Sequence, residues 1–211
     1  EDIKSAGPIT GFYILGTGAS ISLGNINGNR FGHLTDPNNI TSSGTSHSYG
    51  IYMGATGTTN IGGASPGGNI ISNINLSYVY ANFYGISNTA AGTHSIINNT
   101  ISNITVNCYN SLSNFTDASN TIIGIVAKST TANVVQRGQN NKIHNLINTM
   151  PGNYGTGITG IWFNGSVNSS ANPHEITGNW IHTLACNSSS TSAILTGIQI
   201  ANPAANTGSK V

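Results

Sequence analysis

Gly50-Ile51-Tyr52-Met53, followed by Gly68-Asn69-Ile70-Ile71-Ser72-Asn73-Ile74, is one period of a pattern that fills this 211-residue chain. Its first half, a glycine followed by a large apolar residue, returns as Gly11-Phe12, Gly85-Ile86, Gly124-Ile125, Gly160-Ile161 and Gly197-Ile198. Successive glycines are 39, 35, 39, 36 and 37 residues apart. Its second half, Asn-x-(Ile/Phe)-x-x-(Ile/Leu), runs from Asn29 to Leu34, Asn69 to Ile74, Asn99 to Ile104, Asn141 to Leu146 and Asn179 to Leu184. In three units an isoleucine (Ile26, Ile96, Ile176) stands three residues before that asparagine. Self-similarity at a period of tens of residues is the signature of a solenoid.

Each unit therefore holds three short apolar segments bounded by Gly or Asn and rich in Ile, Val, Thr and Tyr, the composition of strands. No stretch carries the i, i+3, i+4, i+7 apolar spacing of a helix. The expected fold is all-β: a right-handed single-stranded parallel β-helix of about five coils, roughly 37 residues each, with long loops. Residues 1–211 read as a single domain of this kind. Composition agrees. Charged residues make up 5% of the chain against 37% hydrophobic, and the formal net charge is +1. In a stacked coil each side chain lies over its counterpart, so like charges would repel, and neutral Ser, Thr, Asn and Gly avoid this.

Asn29, Asn69, Asn99, Asn141 and Asn179 should stack as a ladder at the spacing of paired strands, their amides bonding coil to coil at a bend that favours the left-handed region. A second row, His33, Asn73, Asn103, Asn145 and Thr183, is expected to mark a further bend. In the Gly-apolar strand we expect the glycine to face out and its apolar neighbour to fill the core. The outward residue after that neighbour is then Tyr13, Tyr52, Ser87, Val126, Trp162 or Gln199. Tyr13, Tyr52 and Trp162 are thus candidates for an aromatic strip able to stack on sugar rings or on a protein partner. Tyr78, Tyr80, Phe83 and Tyr84 read as a packed corner.

Other chemistry is sparse. Glu1, Asp2, Asp36, Asp117 and Glu175 are scattered by unit and face, so the paired carboxylates of glycoside hydrolysis are not expected, nor is a calcium cluster. His144 and His182 share a register in adjacent units and are the one candidate for a shared metal, but that row offers no third ligand. We expect no metal, no cofactor and no catalysis. Cys108 and Cys186 lie two coil steps apart, beyond the reach of a disulfide, and are expected to be free thiols. Six dispersed Lys and Arg residues balanced by five acids argue against nucleic acid. No apolar run is long enough to span a bilayer as a helix. Neither end offers a capping helix, which suggests a piece of a longer β-helix, or a subunit whose ends are covered by neighbours and which can associate end to end.

The Gly-Ile-Tyr-Met and Gly-Asn-Ile-Ile-Ser-Asn-Ile segments resemble the right-handed parallel β-helix repeats of secreted bacterial proteins, including sugar-binding and sugar-hydrolase repeats and cell-surface adhesins. Ile176-Thr177-Gly178-Asn179-Trp180-Ile181-His182-Thr183-Leu184 is similar to the repeats of large surface proteins of Bacteroidota. The resemblance implies an extracellular or cell-surface rod that presents its loops and aromatic strip to a surface glycan or protein. The alternatives it allows are a non-catalytic part of a polysaccharide lyase or glycoside hydrolase, and a subunit of an end-to-end filament.

Overall fold

The computed structural model describes residues 3–18, 20–33, 35–36, 40–43, 46–64, 66–77, 82–108, 120–129, 131, 134–165, 174–201 and 209–210, the last two as backbone alone. Its strands in chain order are β1 Ile3–Ser5, β2 Thr10–Ile14, β3 Ile21–Leu23, β4 Arg30–Phe31, β5 Ile40–Ser42, β6 Ser48–Met53 and β7 Thr59–Gly62. There follow β8 Ile70–Ser77, β9 Phe83–Asn88, β10 His94–Ile97, β11 Thr100–Asn107, β12 Ile122–Lys128 and β13 Gln136–Gln139. The series ends with β14 Lys142–Gly152, β15 Gly157–Asn164, β16 His174–Thr177, β17 Trp180–Ser188, β18 Ile194–Ile200 and β19 Ser209–Lys210.

These strands form three parallel sheets. Sheet A has the order β1-β5-β8-β11-β14-β17, with β4 also pairing β8; sheet B is β2-β6-β9-β12-β15-β18; sheet C is β3-β7-β10-β13-β16-β19. The chain visits B, C and A in turn and then begins again one strand further along, which makes it a parallel β-solenoid with three strands per coil. No helix is present among the described residues.

The Gly-apolar beat is a true structural register. Phe12, Ile51, Ile86, Ile125, Ile161 and Ile198 are successive partners down sheet B. Facing them from sheet A are Phe31, Ile71, Ile101, Ile143 and Ile181, and the central members of both columns are fully buried. Burying an isoleucine stabilises by about 1.5–3 kcal/mol, so these two columns hold the coil closed.

The glycines do not face out. A β-carbon built on Gly50, Gly85, Gly124 or Gly160 would strike the carbonyl of the next glycine in the stack and the isoleucine of sheet A, for example Gly124 O at 2.5 Å and Ile101 Cγ2 at 2.8 Å for Gly85. The strand takes two inward steps in succession, glycine then apolar, and only a residue without a β-carbon lets the two sheets approach this closely.

Four other expectations need correction. Leu23, not Ile26, joins the sheet C column of Ile61, Ile96, Gly138 and Ile176; Ile26 is exposed, because residues 24–27 bend outward ahead of Asn29. Ile40, not Leu34, is the partner of Ile74; Leu34 lies outside the described residues. Four strands of sheet A are longer than the short segments expected: β8, β11, β14 and β17 run eight to eleven residues, as far as Asn107 in β11 and Gly152 in β14. Asn73, Asn103, Asn145 and Thr183 turn the backbone left-handed, φ 53–59°, inside continuous strands, so two short segments form one bent strand. In the first unit Gly32 (φ 106°) rather than His33 makes this turn.

Candidate functional site

The asparagine row is the best-defined polar structure of the molecule. In each of four steps, Asn29 to Asn69, Asn69 to Asn99, Asn99 to Asn141 and Asn141 to Asn179, both the backbone N–H and the Nδ2 of one asparagine donate to the Oδ1 of the next, at 2.9–3.2 Å. The second Nδ2 proton goes to a carbonyl of sheet C or its edge: Leu23, Ile61, Ile96 and Gly138 for Asn69, Asn99, Asn141 and Asn179. The ladder is structural. It is not left-handed, however. The positive φ sits one residue earlier, at Gly68 (113°), Asn98 (58°), Asn140 (54°) and Gly178 (66°), which frees the ladder residue to point its amide inward.

Sheet B's outer face carries the expected aromatic row in register: Tyr13, Tyr52, Ser87, Val126, Trp162 and Gln199. Only its first part is open. Tyr13 is 62% exposed and stacks on Tyr52, ring centroids 5.0 Å apart and planes 13° from parallel. Tyr49 meets Tyr52 edge-on at 5.1 Å and stacks on Tyr84 at 5.1 Å; the ring of His47 meets Tyr84 edge-on. Further along, Trp162 is only 4% exposed and packs with Tyr84, Ile123 and Val126 in a second apolar cluster against which Tyr49 and Ala201 rest. Trp162 is therefore not part of an exposed strip: the outward positions of β9, β12 and β15 bury one another in a small core of their own. Tyr84 belongs to this outer cluster and Phe83 to the main core, while Tyr78 and Tyr80 lie outside the described residues.

His144 and His182 face out from sheet A as register partners, their rings stacked with centroids 4.9 Å apart and planes 1° from parallel. Lone pairs held in two parallel planes do not converge on one ion. Among the described residues no three His, Cys, Asp or Glu side chains gather into a metal-binding group. Beside them Trp180, 59% exposed and absent from the sequence-based site, lies 4.7 Å from the His182 ring. Its signal was its place: two residues before His182 on an alternating strand puts it on the same face.

A third polar column runs inside the coil: Thr59, His94, Gln136 and His174 are successive partners or neighbours in sheet C, all fully buried. His94 sits in a polarised chain. Asn88 Nδ2 donates to Thr59 Oγ1 (2.9 Å), Thr59 Oγ1 and His94 Nδ1 are 2.8 Å apart, and His94 Nε2 lies 2.6 Å from the Ala90 carbonyl. This network assigns the neutral Nε2–H tautomer, with Nδ1 accepting from the threonine hydroxyl. Burial pushes the pKa of His94 below its ordinary value, against the carbonyl that favours the charged form.

The remaining candidates are quiet. Glu175 is held on sheet C by Arg137 Nε (3.2 Å) and Gln139 Nε2 (3.0 Å), and Asp36 lies between β4 and β5; Glu1, Asp2 and Asp117 lie outside the described residues. Cys108 and Cys186 are both free thiols; burial pushes the Cys108 thiol up to about 12 despite a bond with the Thr121 side chain. No described helix is long and apolar enough to cross a membrane. No family model matches the chain, and no curated protein or solved structure matches it either.

Proposed function

We propose that this chain is an extracellular structural rod with an adhesive role, and that the Tyr13–Tyr52 pair of sheet B is the place where it holds a surface glycan. One observation carries the reading: two tyrosine rings, the outer one mostly in solvent, stack nearly parallel on the flat outer face of a sheet. The face of Tyr13 turned away from Tyr52 suits the apolar face of a pyranose ring, with Tyr52 backing it and the phenol hydroxyls adding hydrogen bonds at the rim. The rest of the fold supports a scaffold. A rigid polar ladder, stacked isoleucine columns and scarce charge favour a stiff stack over chemistry, and the two described carboxylates are set apart, Glu175 on β16 of sheet C and Asp36 in the segment between β4 and β5. The extracellular placement rests on the resemblance of the repeat to secreted β-helices.

A glycan array probed with the chain, followed by titration of any hit against Tyr13→Ala and Tyr52→Ala, tests this. We expect the double substitution to remove binding while the melting temperature falls by only a few degrees, since Tyr13 contributes little buried area. A hit that keeps its affinity in the double variant, or an array without hits, would defeat the reading.

A further inference from the structure

The outer face of sheet A holds a group that the tyrosine pair of sheet B does not involve. Strands β14 and β17 pair in register, so Lys142 stands opposite Trp180 and His144 opposite His182. All four side chains leave the same face, and together they make a patch that is aromatic in its middle and cationic at its edge. We propose that this patch is a second binding site, for an anionic saccharide, in which Trp180 stacks on the sugar ring and His182, His144 and Lys142 receive its carboxylate. The site is independent of the tyrosine pair.

Three observations carry the assignment. First, Trp180 is 59% exposed although it is large and apolar, and its ring tilts 39° against that of His182 rather than being covered by it in a flat stack. An aromatic ring in that position favours the C–H face of a sugar. Second, among the described residues the strands around the patch offer it no counter-charge; Asp36, the described acid nearest to sheet A in the chain, lies in the segment between β4 and β5. The outward neighbours of this half of sheet A are Thr100 and Ser102 on β11, Ile70 and Ser72 on β8, and Arg30 on β4, and among the described strand residues of sheet A there is no Asp or Glu. Glu175 is on sheet C, bound to Arg137. A face carrying Lys142, Arg30 and two histidines without an acid is complementary to an anion. Third, His144 is held back from protonation by its surroundings. Partial burial, then the charge of His182 and that of Lys142, push the pKa of His144 below its ordinary value. A second positive ring 4.9 Å from the first is unfavourable until a carboxylate sits beside both, so binding and protonation support each other. His182 Nδ1 is engaged by Thr183 Oγ1 at 2.8 Å, which leaves Nε2 as the nitrogen for the ligand. Next to the patch, Asn73, Asn103 and Asn145 line a shallow groove with Thr35, Thr105 and Ile147, a polar path along which a longer chain of sugars can lie.

The test is calorimetric titration with a hyaluronan tetrasaccharide, which bears carboxylates, against the neutral tetra-N-acetylchitotetraose, at about pH 5.5 and pH 8 and in buffers of different ionisation heat. The chain has two tryptophans, one buried, so quenching of the solvent-exposed emission reports on Trp180 directly. We expect the acidic probe to bind about fivefold or more tighter at the lower pH, with proton uptake, and the neutral probe to bind weakly at both. Trp180→Ala should abolish binding. His144→Gln with His182→Gln should keep residual binding and lose its pH dependence, and Tyr13→Ala with Tyr52→Ala should change neither. Circular dichroism of each variant confirms folding, and Trp180→Phe, which retains a ring, should restore part of the affinity. Equal affinity for the two probes, pH-independent binding, loss of binding in the tyrosine variant, or no binding of the acidic probe at either pH overturns the proposal.

Discussion

Asn99 shows how much one side chain does in this molecule. Fully buried, it accepts two hydrogen bonds from Asn69 and donates two to Asn141, and its Nδ2 also reaches the Ile61 carbonyl. Asn99→Ala would strand the buried Asn69 N–H and should cost about 2–4 kcal/mol in urea unfolding, most of it the penalty for donors left without acceptors. The row was legible in the sequence because its spacing repeats with the coil. Its backbone conformation was not. Asparagine is the usual tolerant residue for a left-handed turn, but here the neighbouring Gly68, Asn98, Asn140 and Gly178 take that role and the ladder residue takes the hydrogen bonds. His94 gives a residue-scale prediction of another kind. Its pKa is depressed on folding, so the unfolded chain binds the extra proton; stability from neutral His94 is full above its ordinary pKa of 6.5 and is lost as pH falls below it. The melting temperature should drop between pH 7 and pH 5, and His94→Gln should flatten that slope. A profile with the same slope in both proteins would assign the acid sensitivity elsewhere.

Among the elements, β13 is the weak layer and the sheet B strands are the tight ones. Gly138 of β13 lies in the core column between Ile96 and Ile176, and a β-carbon there would meet nothing within 4 Å. Two residues earlier, both amide atoms of the fully buried Gln136 have no hydrogen-bond partner among the described residues. Gly138→Ala should therefore stabilise by about 1 kcal/mol, from reduced freedom of the unfolded chain and a newly buried methyl. Gly85→Ala should destabilise by about 3 kcal/mol, because its methyl meets the Gly124 carbonyl and Ile101 rather than open space. Equal effects in a urea titration would show that the two glycines are alike. Sequence alone could not separate them. Both interrupt an apolar pattern, and the difference lies in what faces them across the coil. For the same reason the covered face of sheet B was not visible: Tyr13 and Trp162 hold one register, yet whether a ring is open depends on Tyr84, Ile123 and Val126 around it. The bends inside β8, β11, β14 and β17 were foreseeable as a row and hidden as a continuity, since a left-handed residue that preserves pairing on both sides reads as a strand end.

At the scale of the whole molecule the coil is the unit of stability, as in other solenoids. Residues 99–140 form one period between equivalent joints: Asn98 and Asn140 share the left-handed conformation, and Asn99 and Asn141 share the ladder site. Excising 99–140 would set Asn141 directly after Asn98 and opposite Asn69. We expect the shortened chain to keep its β-sheet circular dichroism and unfold cooperatively at a lower temperature. Collapse to a disordered chain would mean that the coils are not interchangeable. The asparagine ladder adds a constraint to such editing. Every amide in it is aligned in one sense, with its N–H toward the later coil's oxygen and its oxygen toward the earlier coil's N–H. The row is thus a line of parallel dipoles along the stacking axis, a vector that distinguishes head from tail inside an otherwise repetitive body. A coil grafted in reverse would set donor against donor along its interior, so the molecule reads as a one-way street.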